Sequence, residues 1–173
     1  MISEMILPEW DMEMANSRKL LAQVPDGKFD YKPHEKSMTL GRLASHVAEL
    51  SGWAKETMTL EKLEIEPSYK PHIAATSAEL LEMFDKCSSA GRAAIAGAKD
   101  EDYSKQWSLI FAGQTAFSMP RAAVLRGMVI SHHLHHRAQL GVYLRMLDVA
   151  IPGMYGPSAD DKPEMPAVVP VAA

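Results

Sequence analysis

Helical periodicity in four separate segments constrains this chain's fold more than any other feature. Between about residues 8 and 24, Trp10, Met14, Leu21 and Val24 recur three or four apart along one face. Pro25-Asp26-Gly27 ends that run with a proline and a turn dipeptide. A second segment, about 39–60, carries Leu43, His46, Leu50, Trp53 and Leu60 on its inner stripe, with Ser37 or Thr39 as its cap. A proline-containing linker at 66–76 leads to a third segment, about 78–98, with Leu80, Leu81, Phe84, Cys87 and Ile95 as core contacts. Pro120 suits the first turn of a fourth, which runs to about Leu147. Within a chain of 173 residues, such helices bury their stripes only against one another, which predicts an all-α four-helix bundle. The long connections after the second and third helices allow crossovers, so a non-sequential helix order is expected. Between Asp100 and Met119 the period changes: Trp107, Leu109 and Phe111, then Gly113, then Ala116 and Phe117, predict a short β-hairpin before the last helix. The bundle is expected to occupy residues 1–159 as one domain, followed by a poorly ordered, proline-punctuated tail at 160–173.

Composition narrows the function classes. A net charge of −4 and a pI near 6.0 argue against nucleic acid as a partner, which would call for a basic face. Cys87 is the one cysteine, which excludes an intramolecular disulfide and a cysteine-based metal cage and fits a reducing cytosol. The opening MISEMILPEWDMEM lacks the basic start and apolar run of a signal peptide, and no apolar stretch approaches the ~18 residues of a membrane span. A cytoplasmic protein without a membrane partner is therefore expected. No phosphate loop, dinucleotide fingerprint or serine elbow is present.

Chemistry concentrates in the histidines. Seven are present, four of them in SHHLHHRAQL on the fourth helix. Leu125, Val129, His132, His136, Gln139 and Tyr143 recur every three or four residues, which puts His132 and His136 on one inward stripe. Side chains at that spacing have Cβ atoms about 5–6 Å apart, close enough to place two nitrogens on one metal ion. His46, on the Leu43/Leu50 stripe of the second helix, is the candidate third ligand. Alone it would read as a core histidine bonded to a neighbour; three imidazoles on facing stripes, with few acids to partner them, read as a metal site. His133 and His135 fall to either side of the stripe and are expected at helix edges or in solvent. His34 and His72 are expected on surface loops. Arg137 reads as a structural ion pair, Cys87 as a small core residue, and Trp53 and Trp107 as core packing. Glu49 and Tyr143 lie within a turn or two of the ligands without an assigned role.

Two stretches carry a family resemblance. HHLHHRAQLGVYLRMLDVAIPGMYGPSADD is similar to the signature of DinB-like proteins, in which a histidine pair at i, i+4 precedes Arg-Gly/Ala-Gln and a YLR turn. VPDGKFDYKPHEKSMTLGRLASHVAEL resembles that family's VP…P…KSM…L…H segment. Ala138 stands where glycine is common in the family, a change a helix tolerates well. The resemblance implies a four-helix bundle of unusual helix order, a homodimer, and one divalent transition metal held by His46, His132 and His136. Nitrogen-rich ligation admits zinc, nickel, cobalt, iron or copper, with zinc or nickel the leading expectation. The family is functionally mixed: some members are thiol S-transferases using low-molecular-weight thiols, others hydrolases or isomerases. Its name comes from damage-inducible expression and implies no DNA contact. Three neutral ligands leave an open coordination position, so the expected function is a metal-dependent transferase or hydrolase acting on a small molecule, in the first case with a small thiol. The alternative is a non-catalytic dimer with a structural or sensing metal.

Overall fold

Helix α1 (Ile2–Leu21) starts six residues before the position that Pro8 predicts. Proline in a helix interior forfeits a hydrogen bond. Here the extra turn is held by tertiary contacts: Ser3 and Ile6 are buried, and the Ile2 N–H donates to Asp100 Oδ1 at 2.7 Å. Thr39 caps α2 (Leu40–Leu50), its hydroxyl accepting from the Arg42 N–H at 3.2 Å. The single helix expected over 39–60 is interrupted at Ser51-Gly52, and α3 (Trp53–Thr59) continues after the break. Ser51 Oγ turns back onto the Ala48 carbonyl at 2.9 Å, a small-residue kink of the usual kind. Helix α4 (Ser77–Gly97) is capped by Thr76 and tied to the first interhelical loop by Ser77 N–H donating to Asp26 Oδ1.

The expectation of an all-α chain is corrected by a small three-stranded sheet. Strands β2 (Gln106–Phe111) and β3 (Gln114–Pro120) form the expected hairpin, antiparallel with a bulge between Leu109 and Ile110. Ala112 and Gly113 make its turn, with φ of 51° and 73°, as a two-residue type I′ turn requires. Strand β1 (Lys62–Ile65), which has no counterpart in the sequence reading, pairs parallel with β2. Its four residues, KLEI, are too few to declare a period. The sheet is anchored to the end of α3, where Trp107 Nε1 donates to the Glu56 carbonyl and Arg121 Nη2 to the Leu60 carbonyl.

The last helical stretch opens with α5 (Arg121–Ala123), widens into a π-helical segment over Val124–Ser131, and closes as α6 (His132–Met146). Helix α1 packs on α4 and α6, and α2 packs on the same two. Trp10, Leu20, Leu21, Leu40, Leu43, Val47, Leu80, Phe84, Leu140 and Leu144 fill the space between them, each buried. Burying such side chains contributes about 1.5–3 kcal/mol apiece. The chain is mostly helical, and among the described residues no helix is long and apolar enough to cross a membrane.

The computed structural model describes residues 1–161. Asp160 accepts from Arg145 and from the Ile151 N–H, and Asp161 from the N–H groups of Gly153 and Ser158. The rest of the expected tail, 162–173, lies outside the described residues.

Candidate metal centre

His46 on α2 meets His132 and His136 at the start of α6. One ring nitrogen from each comes within 4.8 Å of the other two. Ring centroids lie 5.4 Å apart for His46 and His132, 4.6 Å for His46 and His136, and 4.7 Å for the α6 pair. All three are partly buried, and the set predicted by spacing is the set brought together.

The face predicted for them needs correction. On α6 the buried side chains are His133, Arg137, Leu140 and Leu144, so the core stripe runs one residue later than Leu125–His132–His136 predicts. In the π-helical turns, hydrogen bonds run i to i+5 instead of i to i+4. Val124, Leu125, Val129 and Ile130 are all buried there, so the inward face is broad, and it continues four residues after Val129 at His133. His132 and His136 flank the core, and His136 lines a solvent-reachable cavity.

Each ring is oriented by its neighbours. His46 Nδ1 lies 2.7 Å from Glu49 Oε1, which also accepts from Arg42 Nη1 at 3.1 Å. A carboxylate only accepts, so Nδ1 carries the proton and Nε2 keeps its lone pair. His136 Nδ1 likewise donates to Gln139 Oε1 at 2.9 Å, and Gln139 Nε2 donates to His135 at 3.0 Å. Nε2 of His136 then faces Nε2 of His132 at 3.0 Å. His132 Nδ1 is buried and completes no hydrogen bond; the Met128 backbone acts on that ring only as a minor influence. If His132 is protonated on Nδ1, two lone pairs face each other. If it is protonated on Nε2, a buried Nδ1 lone pair goes unmet. A cation shared by the Nε2 atoms removes the first conflict, since two nitrogens at 2.0–2.1 Å from a tetrahedral zinc sit about 3.3 Å apart.

Charge state favours ligation. Burial lowers the pKa of His132, assisted by the nearby His46. His136 is lowered to about 4, again chiefly by burial. Both rings are neutral near pH 7, the form that binds a metal. The residues therefore fit a divalent ion of nitrogen preference.

The other histidines divide. His133 is fully buried, contrary to the expectation of an edge or solvent position. Its Nε2 lies 2.7 Å from Ser17 Oγ, which gives its own proton to the Glu13 carbonyl, so His133 is the donor. Burial pushes its pKa down to about 3, with the Arg137 charge adding to the effect. Beside it, Arg137 pairs with Glu13 at 2.7 Å and donates to Tyr155 Oη at 2.6 Å, the structural ion pair expected of it. His34, His72 and His135 are exposed. Trp107 is buried in the core, whereas Trp53 is only partly buried and walls a cavity next to His46. Cys87 is partly buried, and burial raises its pKa, so it remains a thiol. Glu49, placed by the sequence reading without a role, is the orienting carboxylate of His46; its position three residues after a candidate ligand on one helix was the available signal.

The DinB family model matches residues 3–165 of this sequence. The chain belongs to the DinB family. Among curated proteins, YrdA of Bacillus subtilis (strain 168) is 27% identical over 157 residues, 90% of this chain and 89% of that one. Two solved DinB-like proteins share the fold. One, from Bacillus cereus ATCC 10987, superposes with a TM-score of 0.66 at 21% identity, covering 86% of this chain and 95% of that chain. The other, YjoA of Bacillus subtilis, gives 0.66 at 17% identity, covering 87% and 96%. This DinB chain thus brings its three motif histidines to one place.

Proposed function

We propose that this DinB-family chain holds one divalent transition metal, zinc or nickel by donor type, on His46, His132 and His136, and acts on a small molecule as a thiol transferase or hydrolase. The observation that carries the reading is the apposed Nε2 atoms of His132 and His136, 3.0 Å apart on rings whose burial keeps them neutral. Bound there, such an ion is a Lewis acid that lowers the pKa of a thiol or water and polarises a carbonyl.

The chain's own residues supply orientation. Glu49 fixes the His46 ring and Gln139 the His136 ring through their Nδ1 protons. The neighbouring histidines of the same helix are not placed as a fourth ligand: His133 is committed to Ser17, and His135 is exposed. Three neutral donors with room for substrate suit a catalytic site better than a closed structural one. The packing of α1 and α2 on both α4 and α6 supports reading the helices as a four-helix bundle in crossover order. The family resemblance supports a homodimer, which sedimentation of the purified chain would test.

The functional test is a turnover screen on protein reconstituted with zinc or nickel. It pairs glutathione, cysteine or another small thiol with an aryl halide acceptor, alongside a panel of esters and amides. The proposal expects turnover that chelation and His132→Ala both abolish while helicity is retained. Turnover indifferent to both, or none on any substrate, goes against catalysis at this site.

A further inference from the structure

The candidate centre opens on a cleft of about 590 Å³ between α2, α3 and β1. His46 lies in its wall, so the cleft adjoins the centre through that residue, while His132 and His136 do not line it. A smaller cavity of about 400 Å³ reaches His136 from the other side, past Lys36 and Tyr143.

The cleft has a graded lining. Its more buried groups are His46, Glu49 and Arg42, at 13%, 19% and 23% side-chain exposure. Toward the outside come Glu56 at 32% and Glu64 at 41%, with Glu66 and Tyr69 exposed beyond them. Charge follows the same gradient. The inner carboxylate is spent on Arg42 and His46. The outer ones face the opening with only loose partners: Lys62 meets Glu64 at 3.3 Å and Lys55 meets Glu56 at 3.7 Å, both lysines more than half exposed. Such pairs hold little energy and exchange readily for a better cation. Between floor and rim stand Trp53, Leu63 and Ile65, an apolar wall to which Tyr69 adds a second aromatic ring at the opening.

We propose that this cleft takes an organic cation: a substrate with an apolar body and an ammonium or guanidinium group at its outer end. Aromatic faces attract such a cation, and the rim carboxylates add charge attraction, whereas an outer carboxylate would meet Glu64 and Glu66. With a divalent ion and Arg42 at the floor, a cation gains only at the rim, which sets the direction in which it lies. That the inner end is the reacting end rests on the metal reading above; the charge preference of the rim does not.

The test uses the full chain and two probes of nearly one shape, phenethylammonium and phenethyl alcohol. Trp10 and Trp107 are buried, at 1% and 0% exposure, so quenching of intrinsic fluorescence reports on Trp53, and a Trp53→Phe control checks this. The ammonium should bind about tenfold more tightly than the alcohol, and the doubly substituted Glu64→Gln/Glu66→Gln protein should lose that advantage. Equal affinity, no quenching by either probe, or an advantage that survives the double substitution overturns the proposal. Elemental analysis of the same preparations separates the two readings. A chain that takes up no metal yet prefers the ammonium keeps the cleft and loses the metal. A loaded chain without the preference does the reverse.

Discussion

Glu49 orients a candidate ligand without being one. It fixes one tautomer of His46 and is itself held by Arg42. Removing such a carboxylate costs metal affinity by roughly 10–100-fold in comparable sites. Glu49→Ala should therefore weaken zinc binding by about that factor in a competitive chelator titration, with the helical circular dichroism signal unchanged. The histidines also set a pH dependence. His133 and His136 have native pKa values of about 3 and 4, below the ordinary 6.5, so the unfolded chain takes up protons that the folded one refuses. Stability should be level above about pH 6.5 and fall as pH drops toward those native values, with His133 alone contributing up to about 1.4 kcal/mol per pH unit. Urea midpoints of metal-free protein at several pH values would show the slope, and His133→Gln should flatten it. The grouping of His132 with His136 was legible in the sequence because i, i+4 spacing is a local property. The burial of His133 was not, because it depends on Ser17 of α1, far away in sequence.

At the scale of elements, Gly91 decides how closely α4 approaches its neighbours. A Cβ there would lie 2.6 Å from the Ser51 carbonyl oxygen and 2.8 Å from Trp10 Cζ2. Alanine is favoured over glycine within a helix by about 1 kcal/mol, but here the backbone at the α2–α3 break would have to move. Gly91→Ala should destabilise by about 1–3 kcal/mol. Gly97→Ala, where a Cβ meets nothing within 4 Å, should be neutral or stabilising in the same thermal melts. That contact also bears on why one long second helix was expected and two shorter ones are present. Periodicity runs straight across Ser51-Gly52, and the Ser51 side chain's bond to the Ala48 carbonyl, with α4 packed against the Ser51 carbonyl, marks the kink. The β2–β3 hairpin was readable from its alternation and its glycine turn. Strand β1 was not, since its order comes from pairing with β2 more than forty residues later. The π-helical turns were likewise invisible to a regular period.

Across the whole molecule, two polar assemblies join the helices. The candidate metal centre links α2 to α6. On the other side of α6, the Glu13–Arg137 pair links it to α1, with both side chains about 5% exposed or less and with Ser17 and Tyr155 as further partners. Breaking a buried ion pair by removing one partner costs about 3–5 kcal/mol. Arg137→Met should lower unfolding stability by that amount, whereas Glu13→Leu/Arg137→Met, which strands no charge, should cost less than the single change. Both effects are readable by urea denaturation. The candidate metal centre contrasts with this pair: the core of α1, α2, α4 and α6 closes without it, so removing any bound metal should leave the helices folded. Elemental analysis of the purified, untagged chain tests the central claim most directly, alongside His46→Ala, His132→Ala and His136→Ala. Close to one divalent ion per chain is expected in the wild type, with loss of it in each variant and helicity retained. A wild-type chain that neither carries metal nor takes it up at neutral pH would contradict that claim.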